Sequence, residues 1–142
     1  MSLSLFVILA VRQVPTGDAW QAALQEHRVP LQFPHVLDFA KSSGFVPVIV
    51  AGHESGFYFG KESYSELVGL YPGLSKVGLR EPVAFSLGFG GHGLECASAA
   101  YSAALLVARF NAVAFDPESA SRLSEQQLLE AAQLCEQVGG QR

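Results

Sequence analysis

Apolar and polar positions alternate along this chain in two periods. Leu3–Val11 is a near-continuous apolar run, LSLFVILAV, rich in Val, Ile and Phe, which suits a central strand covered on both faces. Pro15 stops it, Thr16 is placed to cap a helix, and Asp18 lies in the first turn, where the helix dipole favours negative charge. Trp20, Ala23, Leu24 and His27 then fall at helical spacing on one face, and Val29-Pro30 ends that helix. Leu31–Phe33 reads as a short strand, and Pro34–Ser43 as loop or a short helical turn.

Phe45–Ala51 is β-rich, with Pro47 marking an edge or a bulge. Gly52–Gly56 reads as a hairpin loop and Phe57–Gly60 as the returning strand, with Phe57 and Phe59 on one face and Tyr58 on the other. Ser63-x-x-Glu66 has the form of a capping box for a short helix, and Tyr71–Pro82 is rich in turn formers. Val83–Leu87 predicts a strand, Leu94–Phe110 a long helix and Ala112–Phe115 another strand. Ser124-x-x-Gln127 opens a last helix whose stripe is Leu128, Ala131, Ala132, Cys135 and Val138, with Gly139 as its C′ residue. Strands and helices mix without regular alternation. The expected architecture is a single α+β domain over residues 1–142, a mostly antiparallel sheet with about three helices packed on it.

Composition adjusts this picture. At 142 residues, about two-thirds of the unfolded surface can be buried, enough for a sizeable core. Only 15% of residues are charged, against about 25% in an average chain, which leaves room for an apolar contact patch. The net charge is −4 and the basic residues form no run, so nucleic acid is not an expected partner. The N-terminal apolar run lacks a basic leader and ends at Arg12, and Ala97–Phe110 is too short and too rich in Ser for a membrane span. No membrane association is expected. Cys96 and Cys135 sit in helical, apolar contexts. They read as reduced thiols, and the protein as cytoplasmic.

The stretch Gly88-Phe-Gly-Gly-His-Gly93 matches G-x-G-x-x-G, with a strand before it, a helix after it, and Asp116 closing the next strand. Those are the parts of a dinucleotide fingerprint. Only one further helix follows, however, and the preceding strands look like hairpins. The favoured reading is a packing device: Gly90-Gly91 makes a sharp turn, Glu95 sits in the first helical turn, and alanines keep the helix thin. Gly90-Gly91 followed by Glu95, then Ala99-Ala100 and Ala103-Ala104, then the strand ending at Asp116-Pro117, resembles a group of small uncharacterised bacterial proteins. The Leu5–Val11 strand and the Ser43-Gly-Phe-Val-Pro47 and Ser55-Gly-Phe57 patterns are similar too. Some proteins of this kind resemble cytoplasmic immunity proteins that accompany bacterial toxins. The resemblance implies a domain that acts by occluding a toxin's active or docking surface, and it brings no catalytic set.

Other chemistry is thin. His92, Glu95 and Cys96 lie within five positions, but no fourth ligand is in sight and no metal is expected. Cys96 begins a helix that reads as buried, where thiols are inert. No catalytic residues and no cofactor are assigned. The candidate binding residues are Gly90, Gly91, His92 and Glu95 at the glycine turn, His53, Glu54 and Tyr58 at the hairpin, and Asp116. The expected function is non-enzymatic protein binding, toward a toxin or toward a second copy. The alternative is a small nucleotide- or metabolite-binding protein built around Gly88–Glu95.

Overall fold

A computed structural model describes residues 3–140. The N-terminal apolar run forms β1 (Leu3–Ala10), followed by a 3-10 turn and α1 (Gly17–Glu26). The strands that follow are β2 (Leu31–Gln32), β3 (Gly44–Val50), β4 (His53–Glu62), β5 (Pro82–Phe89), β6 (Val113–Asp116) and β7 (Ser121–Leu123). The remaining helices are α2 (Tyr64–Leu70), α3 (Gly93–Phe110) and α4 (Glu125–Gly140), with a 3-10 turn at Pro72–Lys76. The strands form one sheet in the order β2-β3-β4-β5-β1-β6-β7, and every neighbouring pair is antiparallel. The α+β architecture read from the sequence is the one observed.

Because β5 and β6 each run antiparallel to β1, they are parallel to one another, and α3 links them. This is a split β-α-β unit with β1 threaded through its middle. Leu5, Val7 and Leu9 of β1 point into the main core with Phe57, Phe59, Phe85 and Leu87, beneath α3. On the opposite face Ile8 packs with Leu67, Leu74, Ala84 and Phe115. A strand buried on both faces carries no alternation, which is why its sequence reads as a solid apolar run.

Local chemistry places the helices. Thr16 Oγ1 accepts the Ala19 N–H at 3.1 Å at the start of α1, and Trp20, Ala23 and Leu24 are buried while His27 is the C-cap. Trp20 meets Phe33 and Phe39 edge-on, at 5.5 and 5.6 Å between ring centroids. At α4 the capping box is complete: Ser124 Oγ accepts the Gln127 N–H at 3.1 Å and the Gln127 side chain accepts the Ser124 N–H at 2.8 Å.

Three boundaries differ from the sequence reading. The β3–β4 turn is only Ala51-Gly52, with Val50 facing His53, so His53 and Glu54 lie in β4 and not in a loop. Both turn residues have positive φ, 49° and 85°, as a type I′ hairpin demands. The Tyr71–Pro82 segment is partly ordered as the 3-10 turn, anchored by fully buried Leu74. On α4, Leu128 and Ala132 are buried as expected, but Ala131 is exposed and Val138 is 53% exposed. The helix runs on through Gly139, which therefore is no C-cap.

Gly139 has a different use. α4 crosses α3 so closely that a Cβ on Gly93 would lie 2.7 Å from the Gly139 Cα. The crossing brings the Cα atoms of Cys96 and Cys135 to 5.8 Å, and the two are joined by a disulfide. This corrects the expectation of reduced thiols. Both cysteines sit in apolar helical sequence, as read, but the glycine contact brings their helices within bonding range. One ground for a cytoplasmic setting is thereby lost, because disulfides persist mainly in oxidising compartments. A turn further along the same seam, buried Tyr101 donates its hydroxyl to Glu136 Oε2 at 2.6 Å. Burial, then the bond to Glu136 and its charge, push the Tyr101 hydroxyl well above the ordinary tyrosine range.

Two outcomes follow for stability in urea unfolding. Gly93→Ala forces a methyl group into the Gly139 backbone and lowers stability by about 1–3 kcal/mol, whereas Gly91→Ala, with open space around its would-be Cβ, changes it by less than about 0.5 kcal/mol. Reducing the disulfide, which closes a 39-residue separation, lowers stability by about 4 kcal/mol in the chain-entropy account. Alkylation followed by mass measurement should find no free thiol until a reductant is added.

Candidate functional site

The helical cover of the sheet is uneven. α1, α3 and the loop carrying Phe33 and Phe39 close one face. On the other face, α2 and the 3-10 turn cover only the β5–β1–β6 part, through Leu67, Leu74 and Tyr71. The face of β3, β4 and the near end of β5 stays open. The pleat fixes what it shows, since side chains directly opposite on neighbouring strands share a face. One row across four strands is Phe45, Tyr58, Gly88 and Ser4. The next is Gly60, Ser86 and Phe6.

Small residues therefore floor the middle of this face, in a depression of about 480 Å³ bounded by Ser4, Tyr58, Gly60, Ser86 and Gly88. At its rim Phe45 and Tyr58 pack edge to face, 5.2 Å between centroids. Phe45 is 47% and Tyr58 55% exposed. The Phe45 ring lies across Gly56, where a side chain would collide with it. Beyond it, Pro47, Ile49 and Pro34 continue an apolar groove of about 430 Å³ toward Glu54. Tyr58 thus looks outward while Phe57 and Phe59 fill the core, as the alternation predicted.

The glycine turn and the hairpin strand come together. Glu54, Ser55, His92, Glu95 and Gly139 line a shallow depression of about 300 Å³. His53 is not part of that lining. Glu95 reaches back from the first turn of α3 and accepts the Gly90 N–H at 2.9 Å. A carboxylate thus holds an amide that a bound pyrophosphate would need. Each fingerprint glycine has a structural use: Gly88 floors the open face, Gly90 donates to Glu95, and Gly93 lets α4 approach. Asp116 is not brought to this turn. It lies on β6, with β1 between it and β5. Its carboxylate accepts from the Glu118 N–H and the Ser119 hydroxyl, at 3.0 and 2.9 Å. The parts of the dinucleotide fingerprint are adjacent in the sequence and are not assembled in space.

Among the described residues, no group of three or more His, Cys, Asp or Glu is placed to hold a metal ion, and no helix is long and apolar enough to cross a membrane. Sequence reasoning missed Phe45, Gly60 and Ser86 as parts of the open face. The alternation through Phe45 was a usable signal, since it places Phe45 opposite Val46 and Val48. Beyond the β3–β4 hairpin, which strand pairs with which was not readable. The chain matches no protein-family model, no curated protein and no solved structure.

Removing the turn's brace should leave its mark on stability. Glu95→Ala leaves the Gly90 N–H without its charged acceptor and costs about 1–2 kcal/mol, and Glu95→Gln recovers part of that loss. Equal loss in both variants, read from urea unfolding, would show that the Gly90 bond is not what Glu95 contributes.

Proposed function

We propose that this chain is a non-enzymatic protein-binding domain that docks through the open face of β3, β4 and β5. The observation that carries this reading is the exposed Phe45–Tyr58 pair standing beside a floor of small residues. Aromatic anchors next to a shallow apolar recess are the features in which binding energy concentrates at protein interfaces. The low charge of the chain supports the same reading, because charged residues are depleted at the centres of interfaces. The resemblance to immunity proteins makes a bacterial toxin the first partner to test, with occlusion of its active or docking surface as the mode of action. A cytoplasmic setting for this role requires the Cys96–Cys135 bond either to survive the thiol pool there or to be dispensable.

The test is paired capture from the native cell, with the native chain and a Phe45→Ala/Tyr58→Ala variant at native expression. Both side chains are half exposed, so the variant keeps its fold. A stoichiometric partner should be held by the native chain and weakened about 10- to 100-fold by the double substitution. A partner held equally by both would remove this face from the account. Light scattering across concentrations separates a second copy from a different protein.

A further inference from the structure

The end of β4 opens a further recess, distant in the strand from the β3–β4 turn. Pairing between β4 and β5 stops at Glu62 opposite Ala84. Pro82 and Val83 are paired only to β1 on their other side, so one backbone edge of β5 faces a cleft of about 500 Å³. That volume lies within the range of small-molecule sites. Its lining is largely apolar and includes Val14, Val83, Phe39 and Phe85, the two rings being otherwise buried and meeting edge-on at 5.7 Å. Two charges reach it. Lys61 lies opposite Phe85 across the strand pair, on the face of the aromatic floor. Glu62 lies opposite Ala84, on the face that α2 covers. Among the described residues the ion pair present is Arg109 with Glu26, so Lys61 has no carboxylate partner there.

We infer that this cleft binds a small organic carboxylate with an extended apolar body, the chain lying on Phe39 and Phe85 and the carboxylate meeting the Lys61 ammonium. Charge complementarity selects the anion. A buried alkyl chain supplies the affinity, in proportion to the apolar area it removes from water. The site is separate from the Phe45–Tyr58 face and does not depend on the protein-binding reading.

The test uses straight-chain carboxylates, octanoate and decanoate, each below its micelle-forming concentration. The chain's single tryptophan, Trp20, packs on Phe39 at 5.6 Å and reports occupancy by fluorescence, with calorimetry as the second readout. Saturable one-to-one binding is expected, roughly fourfold tighter for each added methylene. Lys61→Met should weaken decanoate about tenfold and leave decanol unchanged. Ala40→Trp, at an exposed residue on the cleft's margin, should block both. The inference is overturned by the absence of saturable binding, or by decanol or decylamine binding the native chain as tightly as decanoate. Decanoate binding that survives Ala40→Trp would also overturn it, by placing the ligand elsewhere.

Discussion

Everything in this molecule depends on how closely α3 can approach its neighbours. The helix is buried from Ala97 to Leu106 and contacts β1, β3, β4, β5 and β6 on one side and α4 on the other. Ala97, Ala99, Ala100, Ala103 and Ala104 are all buried. With methyl groups at five of its buried positions, α3 lies deep in the molecule, and Phe57, Phe59, Phe85 and Leu87 close over it from the sheet while Leu128 and Ala132 meet it from α4. Packing at this density leaves little tolerance for added volume.

The same closeness explains the glycines and the cysteines. Gly93 and Gly139 meet backbone to backbone where α3 begins and α4 ends, and Cys96 and Cys135 are brought into bonding range beside them. Tyr101 and Glu136 lock the seam further along. A stretch that spells a nucleotide fingerprint is, in space, the entry to a tightly clamped helix pair. Its helix N-terminus faces α4 and its own Glu95, and so has a carboxylate where an anion would bind.

The sheet's two faces follow from how much helix the chain has to spend on them. α1, α3 and α4 all go to one face, and only a seven-residue helix and a 3-10 turn are left for the other. They cover the β5–β1–β6 side and leave Phe45, Tyr58 and the small-residue floor bare. The recess at the end of β4 has the same origin: the strand leaves the sheet to begin α2 before β5 has run out of partners.

Local patterning determined a good deal by itself. The solid apolar run of β1, the Thr16 and Ser124 caps, the alternation of Phe57, Tyr58 and Phe59, and the thinness of α3 are all properties of a few neighbouring residues, and each is found as read. Less local features went otherwise. The β3–β4 turn contracted to two residues because a type I′ geometry accepts Ala51 and Gly52 and lets pairing begin at His53. Ala131 and Val138 turned to solvent because α4 rests on a narrow α3 and not on the sheet, so of its stripe Leu128 and Ala132 are buried and Cys135 is partly covered. The disulfide, the separation of Asp116 from the glycine turn and the open face all depend on strand order and helix crossing. Those are set by the sum of contacts between segments far apart in the chain. No short window of residues contains that sum, which is why periodicity identified most of the elements, though not the short β7, and only the tertiary structure decided which of their side chains meet.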